Sequence, residues 1–303
     1  MKALITGGFG FVGQHLAFEL KNNDYQVFST DRIGMGIKMD ILDYDEIRFV
    51  LEKVRPDIIF HLAGIAYVPS SWKDPELVIK TNTIGSLYLF DAVRSVGIDP
   101  IIQIAGSSEE YGLVLPEECP IKETNPLRPL SPYAVSKIAM DMLGYQYFKT
   151  YGMKIIRTRA FNHEGYGRGE QYVTSTFCKQ IAEIEKKLKP AIIYHGDLSS
   201  ERDFTDVRDM VRAYRLAVEQ GQPGEVYNIG SGIKHTVSEV LSIVKKLSKV
   251  KVMDEIDPKR MRPSDVKTLL CDSSKFKKLT GWKPKYKLEE TLSECLRYWR
   301  EQM

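Results

Sequence analysis

The sequence predicts an α/β protein: a doubly wound parallel sheet with a smaller C-terminal α/β lobe. Three observations predict it. Short, wholly apolar runs alternate with longer amphipathic stretches from Met1 to about Arg159, a glycine-rich turn follows the first run directly, and beyond Phe161 the rhythm changes to glycine-rich, charged loops and mixed short elements.

The runs come first. Ala3 to Ile5, Val27 to Ser29, Ile58 to Leu62, Ile101 to Ala105 and Ile155 to Arg159 lack the alternation of a half-exposed sheet, which is how strands covered on both faces read. Between the last two, Pro132 to Tyr151 carries Tyr133, Val135, Ile138, Met140, Leu143, Tyr147 and Phe148 at helical spacing, with proline suited to the first turn. In the second part, helices are expected near Val237 to Lys249 and from Leu288 to Trp299. No repeat, low-complexity tract or Gly/Ser linker separates the parts, so they are expected to pack closely.

The turn Thr6-Gly7-Gly8-Phe9-Gly10-Phe11-Val12-Gly13 leads into an amphipathic segment carrying Val12, Leu16 and Leu20. Strand, glycine turn and helix in that order make the Rossmann-type arrangement. Gly7 allows the tight bend, Gly10 lets backbone approach a pyrophosphate, and Gly13 lets helix and strand pack closely. Alone such a turn is a weak signal; its place at the first strand of an alternating pattern strengthens it. The second strand ends in Asp31-Arg32. Asp31 stands where a carboxylate meets adenosine ribose hydroxyls, which favours NAD(H), while the Arg32 guanidinium suits a 2′-phosphate and leaves NADP(H) open. Asp40 and Ile41, after the expected third strand, are candidates to bracket the adenine, and Leu62, Ala63 and Gly64 to pass beneath the cofactor; each is equally an ordinary loop or strand end.

Tyr133 and Lys137 are four residues apart and share one helix face. An ammonium there is expected to lower the pKa of the phenol, suiting it to proton transfer in carbonyl and alcohol chemistry. Gly106-Ser107-Ser108-Glu109-Glu110-Tyr111-Gly112 places hydroxyls at the carboxyl edge of the sheet, where ligands of this architecture bind. Each piece has a plain alternative, since Tyr and Lys at this spacing are common on helices and serine turns cap backbone. The three together in this order are far less common by accident.

Composition excludes other classes. The chain of 303 residues carries 43 Lys and Arg against 40 Asp and Glu, and a formal charge of +3 is too small and dispersed to argue for nucleic acid or an anionic membrane surface. No basic prelude to a long apolar run opens it and no segment approaches a bilayer span, so a cytoplasmic location is expected. Cys119, Cys178, Cys271 and Cys295 are scattered without a C-x-x-C pair or a nearby His, which suggests reduced thiols and no metal site.

The turn T-G-G-F-G-F-V-G (6–13), the strand I-I-F-H-L-A-G (58–64), the stretch S-P-Y-A-V-S-K (131–137) and R-D-F-T-D-V-R-D (202–209) resemble the extended short-chain dehydrogenase/reductase family, over essentially the whole chain. Within it, G-S-S-E-E-Y-G (106–112), R-P-L-S-P-Y (128–133), A-F-N-H-E-G (160–165), F-C-K-Q-I-A-E-I-E (177–185) and R-P-S-D-V (262–266) are similar to reductases of GDP-4-keto-6-deoxy-D-mannose, and GDP-mannose 4,6-dehydratases share several. The resemblance implies Ser107, Tyr133 and Lys137 as catalytic groups, Lys137 also on the nicotinamide ribose, and Asn82 near the reactive end of the cofactor; Asn82 by itself suggests only a helix start. It implies a Rossmann domain over 1–161 and a mainly nucleotide-sugar-binding lobe over 162–303, with about 191–230 returning to the first domain, and a homodimer packed through the helices near Ile84 to Val96 and Pro132 to Tyr151.

For the GDP-sugar, the resemblance implies that Arg262 and Asp265 hold phosphate and ribose and that Arg202 is a second phosphate group, though Arg202 reads equally as a surface ion pair with Asp203 or Asp206. Asn162, Val173 and the neighbouring Gln171 to Thr174 stretch are implied at the sugar and nucleotide. Ser108, Ser70, Ser71 and Trp72 are candidates for the sugar wall. His163 and His61 read as structural. The implied activity is NAD(P)H-dependent reduction of the 4-keto group to a GDP-6-deoxy-hexose. The rival is 4,6-dehydration, for which Glu109 stands where a C5 base is needed; the short loop from Asp31 to Asp40 favours reduction. A UDP-sugar 4-epimerase is disfavoured because R-P-S-D-V replaces the loop usual there.

Overall fold

The computed structural model describes residues 1–34, 36–261 and 266–303. The first half lays down strands and helices in turn. These are β1 (Lys2–Thr6), α1 (Phe11–Lys21), β2 (Gln26–Asp31), β3 (Ile37–Lys38), α2 (Tyr44–Val54), β4 (Ile58–His61), α3 (Val68–Lys73), α4 (Pro75–Ile79), α5 (Gly85–Val96), β5 (Ile101–Ser107), α6 (Pro132–Tyr151) and β6 (Ile155–Ala160). Then follow β7 (His163–Glu164), α7 (Val173–Glu185), β8 (Ile192–His195), β9 (Glu201–Asp203), β10 (Thr205–Asp206), α8 (Val207–Gln220), β11 (Val226–Ile229), β12 (Lys234–Thr236), α9 (Val237–Leu247), β13 (Met253–Ile256), β14 (Thr268–Leu269), α10 (Ser274–Thr280) and α11 (Leu288–Glu301).

Seven strands form one sheet in the order β11-β6-β5-β4-β1-β2-β3, every neighbouring pair parallel. The five apolar runs all lie in it. Helices cover both faces, which is why β4 and β6 are buried at every residue. On one face Leu16 and Leu20 of α1 pack with Met210, Tyr214 and Ala217 of α8, and with Phe276 and Trp282 from far along the chain. On the other, Leu51 of α2, Leu89 and Phe90 of α5, and Met140 and Tyr147 of α6 close a second core.

The order reverses between β1 and β4, so the crevice that binds ligands in such sheets opens beyond the carboxyl ends of β1, β4 and β5. Local chemistry sets the elements that reach it. Ser131 caps α6 by accepting from the Ala134 amide at 3.1 Å, Pro132 fits the first turn, and Gly152 ends the helix at φ 70°. The observed helix has the bounds expected from sequence.

The second lobe has its own core of Phe177 and Ile181 on α7, Val240, Leu241 and Val244 on α9, and Leu292 and Leu296 on α11. β8 pairs with β13 there, whereas α8 packs on α1 and β11 pairs with β6 at the sheet edge. Among the described residues, no helix is long and apolar enough to cross a membrane, and no group of three or more His, Cys, Asp or Glu side chains could hold a metal ion.

Candidate active site

At the end of β1 the backbone turns through Gly7 at φ 68°, where a Cβ would stand 2.9 Å from the backbone of Ala63. Gly13 packs the start of α1 onto the turn so closely that a Cβ would lie 2.5 Å from the Gly7 carbonyl oxygen. No side chain caps α1 at Gly10, so its first-turn amides stay available to an anion, and Phe11 and Val12 pack against the core behind it. Asp31 at the end of β2 accepts from the amides of Arg32 at 2.8 Å and Phe9 at 3.3 Å, which ties its carboxylate to the glycine turn, while Arg32 is exposed. An open, uncapped helix start with a carboxylate one strand away fits a dinucleotide: phosphates at Gly10 to Val12, a ribose diol at Asp31.

Asp40 accepts from the Leu42 amide at 2.9 Å, and Ile41 is buried against Gly85. Leu62, Ala63 and Gly64 leave β4 beside the glycine turn; the Ala63 amide donates to Thr6 Oγ1 at 3.1 Å. That hydroxyl is the near end of a buried polar chain. Thr6 Oγ1 meets His61 Nδ1 at 2.8 Å, His61 Nε2 meets Ser86 Oγ at 2.9 Å, and Ser86 donates to the Asn82 carbonyl at 2.6 Å. Burial, with the nearby Lys137 charge, lowers the His61 pKa to about 3, so the ring is neutral. It is structural, as expected, and also joins cofactor turn to Asn82.

Asn82 lies in a π-helical turn, Lys80–Ile84, rather than at a helix start. Its Oδ1 accepts from the Ile65 amide at 2.8 Å and its Nδ2 donates to Ile65 O at 3.1 Å and to Ser136 Oγ at 2.9 Å; Ser136 in turn donates to the Tyr133 carbonyl at 2.7 Å. A Cβ on Gly64 would stand 2.8 Å from Asn82 Oδ1 and 3.8 Å from Lys137 Nζ, so these three groups share one small space.

Ser107 ends β5. Its hydroxyl accepts from the Glu109 amide at 3.2 Å and stands close enough to the Tyr133 hydroxyl to favour its phenolate. Lys137 reaches back from α6 to donate to the Ala105 carbonyl at 2.8 Å, with Nζ 5.9 Å from the centre of the Tyr133 ring. Both α6 residues are buried. The tyrosine corrects one expectation. Its phenol is pushed above the ordinary tyrosine range, chiefly by burial, with Ser107 pulling it down and Glu109, Tyr172 and Glu110 adding to the rise. Burial also lowers the Lys137 pKa, to about 8.

The sugar-side candidates are more dispersed. Ser108 is buried in the 3₁₀ turn after Ser107, beside the half-buried Glu109. Ser71 is buried and donates its hydroxyl to the Val68 carbonyl at 2.7 Å; Trp72 on the same helix is 63% exposed. Asn162 follows β6 and accepts through its carbonyl from the Thr205 amide at 2.8 Å; Val173 opens α7, whose preceding Tyr172 ring carries the Arg168 guanidinium at 3.8 Å. Arg202 lies buried on β9 and donates to the Glu201 carbonyl at 2.9 Å. Arg262 and Asp265 lie outside the described residues. His163 stacks on Phe11 and bonds the Phe161 carbonyl at 2.9 Å, and burial lowers its pKa to about 4, so it too is structural.

Sequence reasoning did not single out Thr6, Ser86 or Ser136, nor a buried cluster of Glu110, Asp141, Arg157 and Arg159 under Ser107. The available signal was polar residues inside runs otherwise fit for a core, such as both arginines within β6.

A parallel sheet entered by a glycine turn, with Ser107, Tyr133 and Lys137 at its carboxyl edge, is the Rossmann-type arrangement of extended short-chain dehydrogenase/reductases. The family model described as GDP-mannose 4,6 dehydratase matches residues 32–295. GDP-6-deoxy-D-mannose reductase of Pseudomonas aeruginosa is 30% identical over 100% of this chain and 98% of its own length. Among solved structures, that of RMD from Pseudomonas aeruginosa complexed with NADPH has a TM-score of 0.92 at 29% identity, covering 100% of this chain and 99% of that one. The UDP-glucose 4-epimerase of Thermus thermophilus in complex with NAD gives 0.90 at 28%, covering 100% of each. The chain belongs to the GDP-mannose 4,6-dehydratase-like family of extended short-chain dehydrogenase/reductases.

Proposed function

We propose that the protein reduces the 4-keto group of GDP-4-keto-6-deoxy-D-mannose to a GDP-6-deoxy-hexose, with NADH or NADPH as reductant. The observation that carries the reading is the grouping of Ser107 at the end of β5 with the buried Tyr133 and Lys137 of α6, Lys137 anchored on the Ala105 carbonyl. The full-length likeness to the Pseudomonas aeruginosa reductase supports it.

A reduced nicotinamide, when bound, supplies the hydride to C4. The chain supplies the rest. Tyr133, whose raised pKa keeps the phenol protonated through the physiological range, gives its proton to the oxyanion forming on the sugar. Ser107 fixes that oxygen through the hydroxyl that already meets Tyr133, and Lys137, anchored on the Ala105 carbonyl, holds positive charge below the phenolate left behind. Asn82, in the π turn beside Lys137, ties Ile65 to Ser136 of the same helix as Tyr133. Arg202, with Arg262 and Asp265, takes the diphosphate and ribose, and Asn162, Ser108 and Val173 line the sugar side.

The rival reading, 4,6-dehydration of GDP-mannose, has Glu109 in its favour, a carboxylate close enough to act on the Tyr133 pKa. The short connection between Asp31 and Ile37 argues for reduction. The test is to incubate the protein with GDP-mannose alone, and with its 4-keto-6-deoxy derivative plus NADH or NADPH. Nicotinamide oxidation in the second mixture only is expected; keto-sugar formed from GDP-mannose without net cofactor consumption would make the protein a dehydratase. A homodimer through α5 and α6 goes with this reading, since Val135, Met142 and Tyr145 are exposed on α6; light scattering at a monomer mass would reject it.

A further inference from the structure

Directly beneath the Ser107–Tyr133 contact lies a carboxyl group that the reaction itself does not use. Glu110 ends the 3₁₀ turn Ser108–Glu110 and is wholly buried. One of its oxygens accepts from the Ser107 amide at 2.8 Å; the other lies 2.9 Å from Arg159 Nε on β6. It sits so tightly in the strand end that a Cβ on Gly106 would stand 2.5 Å from it.

Arg159 is held in turn by Asp141 of α6 at 2.7 Å and donates to the Tyr111 hydroxyl at 3.1 Å, and Arg157 donates to the other Asp141 oxygen at 2.5 Å. Asp141 is one helical turn beyond Lys137. Two carboxyls and two guanidiniums thus join the loop carrying Ser107, the helix carrying Tyr133 and Lys137, and the strand between them. Burying four ionisable groups is costly and gains little net stability over an apolar core of the same shape. What it gains is a fixed geometry, because every guanidinium bond is directional.

We propose that Glu110 is a positioning residue of this active site: clamped between the Ser107 amide and the Arg159–Asp141 pair, it sets the Ser107 hydroxyl against Tyr133 and fixes the charge beneath Lys137. The inference rests on the reduction reading for its rate effect alone. Glu110 is faced by Asp141 and Lys137 from α6, by Arg159 from β6 and by Ser107 from its own loop. Tyr133 is faced by Ser107 and Glu109 from the loop, Tyr172 from the start of α7 and Lys137 on its own helix. Burial and Asp141 push the Glu110 carboxyl up to about 8, against the pull of Arg159 and the Ser107 amide, and Glu110 contributes to raising the Tyr133 pKa.

The test is Glu110→Gln, which keeps an acceptor for the Ser107 amide and replaces the carboxyl beside Arg159 with an amide that does not titrate. Turnover of the keto-sugar, NADPH affinity, thermal midpoint and the ¹³Cζ titration of Tyr133 are read together, the Tyr133 resonance being assigned by its loss in Tyr133→Phe. Expected are a kcat lower by about ten- to a hundredfold, KM and NADPH affinity within about threefold, and a Tyr133 titration moved to lower pH. Glu110→Asp, which restores a carboxyl group, recovers part of the rate, and it carries the same measurements should Glu110→Gln not fold. Unchanged kcat with an unmoved Tyr133 titration overturns the proposal, as does a loss of rate that only follows loss of folded protein or of NADPH binding. If the wild-type protein does not reduce the keto-sugar, the reduction reading fails, and the Tyr133 titration still decides the role of Glu110.

Discussion

Lys137 Nζ donates to the Ala105 carbonyl at 2.8 Å, which anchors the ammonium of one helix on the strand that ends in Ser107. That bond holds the charge at a depth where burial lowers its pKa to about 8. Below that pH the ammonium is present; as pH rises through it, the charge that offsets a Tyr133 phenolate is lost. The rate of reduction is therefore expected to fall on the alkaline side near pH 8, while Tyr133, its own pKa raised, is still protonated. A kcat profile from pH 6 to 10 checks this, and Lys137→Arg, whose guanidinium does not titrate there, should flatten the limb.

Tyr133→Phe removes the hydroxyl that protonates the forming oxyanion in the proposed reduction. A loss of about 10²- to 10⁴-fold in kcat is expected, with NADPH affinity nearly unchanged. Steady-state kinetics beside a fluorescence titration of the cofactor separates the two; full turnover in this variant would remove Tyr133 from the proton path.

Gly13 has no room for a methyl group: its Cβ would lie 2.5 Å from the Gly7 oxygen and 2.7 Å from the Gly8 backbone. Gly13→Ala must push α1 away from the turn and spread the phosphate-facing amides. NADPH affinity is expected to fall on the order of tenfold or more, about 1.4 kcal/mol, by isothermal titration.

His61 bridges Thr6 and Ser86 in the neutral form, its folded pKa of about 3 lying far below the ordinary value near 6.5. Between those pH values the unfolded chain binds a proton there that the folded one does not, so stability present above about pH 6.5 is lost as pH falls toward 3. The slope this one group adds is at most about 1.4 kcal/mol per pH unit. In His61→Leu, neutral-pH stability should drop by about 1–3 kcal/mol from the two hydroxyls left short of a partner, and the acid limb should become shallower. Guanidinium unfolding at pH 4, 5 and 7 measures both, with His163 contributing equally in each protein.

The parallel sheet was readable because strands covered on both faces leave unbroken apolar runs, and α6 because Ser131, Pro132 and Gly152 punctuate it chemically. The spacing of Tyr133 and Lys137 placed both side chains on one helix face for the same reason, since helical period is local. Arg202 was ambiguous because its spacing says nothing of its burial, which only the packing around β9 sets.

What the sequence determined by itself is everything carried by short-range geometry: the glycine turn, the order of strands and helices, and the Ser, Tyr and Lys types at their positions. Tertiary structure alone decided the electrostatics. Phe276 and Trp282 close the core under α8 from more than two hundred residues beyond α1, Asp141 and Arg159 meet Glu110 from two other elements, and burial raises the Tyr133 phenol where the nearby ammonium suggested a fall. Desolvation depends on what packs around a group in space, and no local pattern of residues encodes it.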